Sequence, residues 1–419
     1  MDFFKEKDQQ WFVEAVSLLK VAKNVGTPTY VYSKAALIAQ WQAFDNAFQE
    51  HPHQVNYAVK ANSNLAVLNT LAKLGSGFDI VSGGELARVL KAGGDPKRII
   101  FSGVGKTYAE ISEALQAGVG CMNVESEAEL KRINDIATHL QKKATIAIRV
   151  NPDVDAKSHP YISTGLKENK FGVAINEAKR LYILAKSLPH LQIQGIAFHI
   201  GSQILSVAPF VKALQKILAL IQFLNDQHIS ISHLNVGGGL GVRYQNETPP
   251  SPTEYVTALL SHIKDPKLTI HVEPGRAISA NAGVLLTRVE YIKESSNQDK
   301  PFAIVDAGMN DLLRPALYQA WQDIVPITKD PAIQPRTYDI VGPVCETADF
   351  LGKDRSLALQ EGTVLMIHSA GAYGFSMSSN YNARPRAAEV MVDGDSFYVV
   401  RKRENIADLY HLESLLTPS

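Results

Sequence analysis

The sequence predicts two parts, a (β/α)8 barrel and an all-β domain built as a β-sandwich or β-barrel. The chain has 419 residues, which exceeds the usual size of a single domain. Eight short apolar runs alternate with helical patterns up to residue 280, the count and order of a (β/α)8 barrel. Beyond that point strand-like runs are separated by turn residues, as in an all-β domain. We therefore expect the barrel over 36–280 and the β domain over 281–419.

The N-terminal residues precede the alternating pattern. Apolar residues at helical spacing predict a helix over 8–24, which Gly26-Thr27-Pro28 ends. A short strand is expected over 29–32. Ser33 is then placed to cap a helix that runs from residue 34 to about residue 48.

The barrel is predicted from its apolar runs, since short runs bounded by turn residues are typical of buried strands. The expected strands are 55–59, 78–81, 99–102, 120–124, 145–150, 193–200, 233–236 and 268–272. The expected helices are 64–73, 84–92, 108–117, 127–140, 176–187, 208–226 and 252–263. Alternation does not itself show closure, so a doubly wound open sheet is the second possible arrangement. In the β domain the expected strands are 284–291, 302–306, 338–341, 363–367, 389–392 and 397–401.

Composition narrows the class of protein. Lys+Arg and Asp+Glu both number 42, so the net charge is zero and gives no basic field for nucleic acid or an anionic membrane. No apolar run reaches membrane-spanning length. The only cysteines, Cys121 and Cys345, lack the spacing of a disulfide framework or a zinc site. We expect a cytoplasmic enzyme without a metal ion, and we interpret Cys121, inside a strand pattern, as a core residue.

The ends of the predicted barrel strands carry polar residues. Barrel enzymes build their sites at these C-terminal strand ends. Any one such residue could be structural, but eight on one rim indicate a site. The strand ends carry Lys60, Asp79, Ser102, Glu125, Arg149 with Asn151, His199, the glycines 237–239, and Glu273.

Lys60 ends the first predicted barrel strand, and a polar turn follows it directly. A lysine at the mouth of a buried strand is partly desolvated, which lowers its pKa and makes it a nucleophile able to form a Schiff base. For a lone lysine the more common structure is a side chain that reaches out of a strand end into water. The neighbouring strand ends therefore decide which interpretation holds.

The last two strand ends favour a phosphate site. Glycines 237–239 and Gly241 follow the seventh strand, and consecutive glycines let backbone N–H groups approach an anion. Gly275 and Arg276 follow the eighth strand, and barrels commonly bind phosphate at these two loops. A lysine, a phosphate cradle and a carboxylate together suit pyridoxal phosphate.

The remaining rim residues complete that hypothesis. Glu273 can pair with the pyridine nitrogen and keep it protonated. His199 can stack on the ring face, and Ser202 can help to bind the phosphate.

The β domain also carries residues that sheet packing alone does not require. Arg314 and Tyr318 are four apart, so on a helix they share one face and could bind a carboxylate. Cys345 and Glu346 lie in a constrained turn, where Cys345 is either an inert thiol or a proton donor. The segments 371–374 and 376–386 have little strand character and are predicted to be binding loops.

The sequence resembles the diaminopimelate decarboxylases, a family of pyridoxal-phosphate enzymes with the alanine-racemase-like fold, almost from end to end. The motifs are YAVKAN at 57–62, VSGGE at 81–85, HIGSQ at 199–203, EPGR at 273–276, DAGMN at 306–310 and the pair Cys345-Glu346. The segments 159–165 and 170–172 resemble the family's substrate-side loop. The resemblance also implies that 1–35 joins 281–419.

The resemblance assigns roles by position. It implies Lys60 as the Schiff-base lysine, His199 stacked on the cofactor, and Cys345 as the proton donor. It implies a homodimer whose site receives Cys345 and Glu346 from the partner subunit. The implied cofactor-binding residues are Lys60, Asp79, His199, Ser202, Gly238, Gly239, Glu273, Gly275, Arg276 and Tyr373. The implied substrate-binding residues are Arg276, Arg314, Tyr318, Glu346 and Tyr373.

The implied reaction is decarboxylation of meso-2,6-diaminopimelate to L-lysine and carbon dioxide, the last step of lysine biosynthesis. The alternative is a decarboxylase of ornithine, arginine or a carboxylated polyamine, whose substrates lack a distal carboxylate for Arg314 and Tyr318. An amino-acid racemase would not need the Cys345-Glu346 pair. A non-catalytic regulator on this fold should have lost Lys60 or the phosphate glycines, and both are present.

Overall fold

The computed structural model describes residues 3–155, 170–294 and 300–416. The chain forms two compact units. The β unit comprises Met1–Ala36, Tyr244–Asn246 and Ser279–Ser419, and the barrel unit comprises Leu37–Arg243 and Glu247–Ile278. The segment 159–165, which resembles a substrate-side loop, lies outside the described residues.

The N-terminal segment corrects one prediction, because residues up to Ser17 form strands instead of a helix. Asp8 and Gln9 have positive φ angles of 48° and 62°, so they reverse the chain between two strands that pair antiparallel. Apolar residues after this turn therefore face the core from a strand. The elements are β1 (Phe4–Lys7), β2 (Gln10–Val13), β3 (Val16–Ser17), α1 (Leu18–Val25) and β4 (Thr29–Ser33).

The predicted barrel elements are present in the predicted order, and their ends differ from prediction by at most three residues. The short strand Val173–Ala174 and the short helix Arg276–Ser279 were not predicted. The strands are β5 (His53–Ala58), β6 (Gly77–Ile80), β7 (Ile99–Phe101), β8 (Cys121–Val124), β9 (Ala144–Asn151), β10 (Val173–Ala174), β11 (Leu191–Ala197), β12 (His233–Asn235) and β13 (Thr269–Val272). The helices are α2 (Lys34–Ala47), α3 (Leu65–Lys73), α4 (Gly83–Lys91), α5 (Tyr108–Ala117), α6 (Glu127–His139), α7 (Ile175–Ser187), α8 (Ala208–Asp226), α9 (Pro252–Leu260) and α10 (Arg276–Ser279).

The barrel is closed, which excludes the open sheet. Its strands run in the order β5, β6, β7, β8, β9, β11, β12 and β13, and all neighbours are parallel. Closure is made by β13 and β5, where Ile270 pairs with His53. The short strand β10 is added to the outside of β9. All eight barrel strands therefore end on one rim.

Side-chain caps begin several helices immediately after the strands. Ser82, Thr107 and Ser126 each accept a hydrogen bond from the backbone N–H three residues ahead, as helix N-caps do. Ser33 caps α2 as predicted, since its Oγ accepts from the N–H of Ala36 at 3.0 Å. Such caps fix where each strand-end loop stops, and so hold the rim in place.

The opposite end of the barrel contains a pair of stacked histidines. The rings of His233 and His271 are 4.6 Å apart and 9° from parallel. Gly195 makes room for them, because a Cβ at this position would lie 1.9 Å from His233 Nε2. Cys121 is buried beside Ile100 and Ala147, which confirms that it is a core residue.

We predict that His233 makes the barrel sensitive to acid. Burial lowers the pKa of His233 from 6.5 to about 4. Below pH 6.5 the unfolded chain therefore binds a proton that the folded chain does not, so stability falls as the pH drops from 6.5 towards 4. The expected loss between pH 7 and pH 5 is about 2 kcal/mol. Denaturant unfolding at pH 7 and pH 5 measures this loss of unfolding free energy. The loss should be smaller for His233→Gln than for the parent protein or for the control His139→Gln, whose histidine is exposed. Equal losses in all three proteins would contradict the prediction.

The β unit is built on one long strand, β14 (Gly283–Lys293), which pairs with three others. The remaining elements are β15 (Phe302–Val305), α11 (Arg314–Tyr318), β16 (Ile324–Pro326), β17 (Arg336–Val341), β18 (Phe350–Leu357), β19 (Val364–Ile367), β20 (Ala388–Asp393) and β21 (Ser396–Arg401). The sheet order is β18-β17-β15-β14-β4-β20-β21, and β19 pairs with β14 and β16. The N-terminal strand β4 thus lies between β14 and β20.

Besides the N-terminal strands β1, β2 and β3, two strands of this unit were not predicted. Strand β16 has only three residues and ends in proline, while β18 contains Gly352, Lys353 and Asp354 in its middle. Both sequences lack the alternation that identifies a strand. Within the described part of the chain, no helix has the length and apolar character needed to cross a membrane.

Candidate active site

A pocket of about 420 Å³ opens at the C-terminal rim of the barrel. It brings together six of the strand-end residues that the sequence indicated, which come from six different strands or the turns that follow them. These residues are Lys60, Asp79, Ser102, Arg149, His199 and Glu273. The rim of the closed barrel therefore gathers them, as expected for strand ends that meet on one face.

Lys60 lies in a short 3₁₀ turn directly after β5. Its Nζ is 3.8 Å from Asp79 Oδ2, which is the distance of an ion pair and too long for a good hydrogen bond. The Lys60 side chain is 46% exposed, whereas that of Asp79 is 2% exposed. The amine is thus accessible from the pocket while its counter-charge is fixed in the wall.

The carboxyl groups of this pocket are held in surroundings that disfavour their charge. Burial raises the pKa of Asp79, against the effect of the nearby positive charge of Lys60. Burial, with the charge of Asp79, raises the pKa of Glu273 to about 8. Asp79 Oδ1 is buried and accepts no hydrogen bond from the described residues. A cationic N–H group entering the pocket would therefore be stabilised by these carboxyls.

Two further polar residues bond to residues that line this pocket, and the sequence reasoning missed their role. Asn235, at the end of β12, donates from Nδ2 to Glu273 Oε1 at 2.5 Å, and its Oδ1 accepts from the N–H of Gly237. It therefore links the carboxylate to the glycine loop. The available signal was a polar residue in a short, buried strand. Glu85, in the VSGGE motif, accepts from the N–H of Val81, and burial raises its pKa to about 7.

His199 is neutral in this pocket. Burial lowers its pKa well below 6.5, and the positive charges of Arg149 and Lys60 lower it further. The N–H of Gly238 donates to His199 Nδ1 at 3.3 Å, which leaves the ring proton on Nε2. A neutral imidazole fixed at one edge presents a flat face on which an aromatic ring can stack.

The glycine loop after β12 approaches the neighbouring backbone too closely for any side chain. A Cβ at Gly238 would lie 2.1 Å from the carbonyl oxygen of Glu273. Gly239 has φ +108°, and a Cβ there would lie 2.2 Å from the carbonyl oxygen of Gly201. Nearby, Arg276 donates to Ser202 Oγ from Nε at 3.3 Å and from Nη2 at 3.0 Å. These residues form a backbone cradle with a guanidinium group, which suits a phosphate.

These features fit pyridoxal phosphate. The amine of Lys60 is accessible, the buried carboxyl of Asp79 has an oxygen that accepts no hydrogen bond from the described residues, and the glycine loop forms a cradle for a phosphate. The residues that would hold the group are Lys60, His199, Ser202, Gly238, Gly239, Glu273, Gly275 and Arg276. Gly275 also lies in a tight place, since its Cβ would be 3.0 Å from the Cβ atoms of Ala58 and Ala61.

The other predicted residues belong to the β unit. Arg314 and Tyr318 lie on the single helix α11, as their spacing predicted, and Arg314 Cζ is 4.4 Å from the ring centre of Tyr244. The N–H of Cys345 donates to Asn382 Oδ1 at 2.7 Å, and both Cys345 and Glu346 are exposed. Tyr373 has a positive φ of 54°, within a turn.

Comparison with known proteins agrees with this site. The family model described as "Pyridoxal-dependent decarboxylase, pyridoxal binding domain" matches residues 34–280. The diaminopimelate decarboxylase of Vibrio cholerae is 59% identical over 418 residues, covering 99% of this chain and 100% of the relative.

Solved structures of this kind of enzyme have the same fold. Diaminopimelate decarboxylase of Helicobacter pylori, complexed with L-lysine, has a TM-score of 0.91 and 45% identity, covering 94% of this chain and 98% of that chain. The enzyme of M. jannaschii in complex with L-lysine has a TM-score of 0.94 and 36% identity, covering 99% of this chain and 98% of that chain.

The fold and the pyridoxal-binding region define a pyridoxal-phosphate-dependent decarboxylase. The sequence identity, which extends over nearly the whole chain, then identifies the family. The chain belongs to the diaminopimelate decarboxylases.

We predict that Gly239→Ala weakens binding of pyridoxal phosphate at least about tenfold, because a strained positive φ costs about 1–3 kcal/mol and the methyl group would meet the carbonyl of Gly201. The measurement is a titration of the apoprotein followed by visible absorbance. Gly93→Ala is the matched control, since Gly93 has φ +86° but open space around it. Equal affinities for the two variants would show that the loop is not the phosphate cradle.

Proposed function

We propose that the chain decarboxylates meso-2,6-diaminopimelate at its D centre, releasing carbon dioxide and L-lysine, at the pocket around Lys60. One observation carries this proposal: the amine of Lys60, the carboxyl of Glu273 and the ring of His199 line a single pocket, and the N–H of Gly238 binds that ring. Membership of the diaminopimelate decarboxylase family supports the choice of substrate. Its place is the last step of lysine biosynthesis.

The cofactor supplies, when bound, an electrophilic carbon for the substrate amine and a ring that accepts the electrons left as carbon dioxide departs. Lys60 would hold the cofactor through its amine until the substrate amine takes its place, and Asp79, 3.8 Å away, would stabilise the ammonium form of Lys60. Glu273 stabilises a proton on the ring nitrogen, and Asn235 orients Glu273. His199 packs against the ring, and the glycine loop with Ser202 binds the phosphate.

The distal end of the substrate is assigned to five polar residues. Arg276, Arg314 and Tyr318 bind the distal carboxylate, Glu346 binds the distal amine, and Tyr373 contacts both substrate and cofactor. A substrate without that carboxylate would lose its interaction with these guanidinium groups, which explains selection against ornithine and arginine.

Cys345 protonates the carbon from which carbon dioxide has left. We propose that the enzyme is a homodimer in which the partner subunit supplies Cys345 and Glu346. Their exposure on the β unit supports this arrangement, since both side chains are available to a second copy. The free thiols of Cys121 and Cys345 support a cytoplasmic location.

Subunit mixing tests the shared site. Lys60→Ala and Cys345→Ala are each expected to be inactive alone. When equal amounts are dissociated and reassembled together, half of the dimers are mixed and each contains one intact site, so about one quarter of the parent activity should return. Each variant reassembled with itself is the control. Failure to regain activity, or a monomer in sedimentation, would contradict the proposed dimer.

A further inference from the structure

Glu125 is a buried carboxylate at the end of β8. The proposed reaction gives Glu125 no role. Its side chain is 2% exposed. Oε1 accepts hydrogen bonds from Arg149 Nη1 and from the N–H of Gly103, both at 3.1 Å. Oε2 accepts from the N–H of Gly172 at 2.8 Å. One carboxylate therefore connects β8 to the loop after β7, to β9 and to the segment before β10.

Glu125 is itself held in place by a second ion pair. Its backbone N–H donates to Glu129 Oε2 at 2.6 Å, and Glu129 Oε1 accepts from Lys106 Nζ at 2.7 Å. Lys106 Nζ also donates to the carbonyl oxygens of Gly103 and Asn123 at 2.8 and 2.7 Å. The side chains of Lys106 and Glu129 are buried. Two acids and two bases thus form a charge-balanced network with little freedom to rearrange.

This network supports one wall of the pocket. Gly103, Arg149 and Phe171 line the same cavity as Lys60. Arg149 Cζ is 4.8 Å from the ring centre of Phe171. Gly172 has φ +67°, and a Cβ there would lie 3.0 Å from the carbonyl oxygen of Arg149, so glycine is required for this packing.

We propose that Glu125 is a positioning residue that holds Arg149 and the backbone at Gly172 against the pocket containing Lys60. This inference rests on the proposed function, since it assigns Arg149 as the cation that sets the electrostatics of that pocket. The positive charge of Arg149 favours the ionised forms of Asp79 and Glu273 and the neutral form of His199. Glu125 keeps that charge at a fixed distance from Lys60.

The first test is the pH midpoint of the visible absorbance of the holoenzyme, measured without substrate. With the cofactor bound, this midpoint would report protonation of the Lys60 nitrogen. The charged and titratable groups around that nitrogen are Asp79, Glu85, Glu110, Glu273, His199, Arg149 and, behind Arg149, Glu125. Arg149→Gln removes a positive charge and should raise the midpoint by about one pH unit. Glu125→Gln removes a negative charge while Arg149 remains, and should lower it.

The second test is kinetic. Glu125→Gln should reduce kcat by about 100-fold, because a misplacement of about 1 Å near reacting groups has an effect of that size. The double variant Glu125→Gln with Arg149→Gln should be no slower than Arg149→Gln alone, since Glu125 acts through Arg149. Glu127→Gln is the matched control and should leave kcat and the midpoint unchanged, because the partly exposed Glu127 pairs only with Lys131 and Arg180 among the described residues.

The outcomes separate this proposal from its alternatives. If Glu125→Gln lowers thermal stability but leaves the midpoint and kcat at parent values, its role is structural and the proposal is overturned. If Glu125→Gln does not fold, Glu125→Asp is tested in its place. Aspartate keeps the negative charge but is too short to make the same contacts, so kcat should fall while the midpoint stays unchanged. A kcat equal to that of the parent enzyme would overturn the proposal. Visible absorbance that survives in Lys60→Ala, or a parent enzyme that forms no lysine, would instead refute the proposed function.

Discussion

Lys60→Ala is expected to abolish the visible absorbance of protein-bound pyridoxal phosphate and to lower kcat by about 10⁴-fold or more, as loss of a covalent nucleophile does. The physical reason is that Lys60 supplies the amine nearest the buried carboxylate of Asp79, at 3.8 Å. Absorbance spectra of the dialysed and reloaded protein make the measurement, together with carbon dioxide release.

Exposed Lys73, at the end of α3, provides the control for this substitution. Lys73→Ala should keep both the absorbance and the activity. An unchanged visible band in Lys60→Ala would show that another amine holds the cofactor.

Glu273→Gln is expected to lower kcat by about 10²–10³-fold, the size of the effect when one preorganised electrostatic contact is lost. Glutamine preserves the size of the side chain and can still interact with Asn235, but it cannot stabilise a proton on the ring nitrogen. Burial raises the pKa of Glu273 to about 8, so a cationic partner would stabilise its charged form. The measurement is single-turnover decarboxylation at saturating cofactor.

The visible absorbance distinguishes this effect from simple loss of cofactor, because Glu273→Gln should retain the band that Lys60→Ala loses. Glu290→Gln, on the exposed side of β14, should behave as the parent. A parent kcat for Glu273→Gln would remove Glu273 from the chemistry.

Much of the barrel could be predicted because its signals are local. Short apolar runs bounded by turn residues identified all eight strands, and parallel strands in a barrel must end on one rim, which brought Lys60, His199 and Glu273 together. The first residues of the chain were mispredicted because helical spacing at Trp11 and Val16 also fits two short strands. The turn at Asp8 and Gln9, which decides between them, depends on positive φ angles that neither residue type requires.

The supporting residues of the site could not be predicted, because their partners are distant in sequence. Asn235 and Glu273 are 38 residues apart, and Glu125 and Gly172 are 47 apart. The strand-end position of Glu125 was evident from the sequence, but its bonds to Arg149 and Gly172 were not, and Glu127 only two residues further on is partly exposed. The pKa values of Asp79 and Glu273 likewise arise from burial inside the closed barrel.

The most direct test of the whole account is the product of the reaction itself. Purified protein with pyridoxal phosphate and meso-2,6-diaminopimelate should release equal amounts of carbon dioxide and L-lysine, and should release no carbon dioxide from ornithine or arginine. Absence of lysine, together with turnover of ornithine, arginine or a carboxylated polyamine, would contradict the assignment of the substrate.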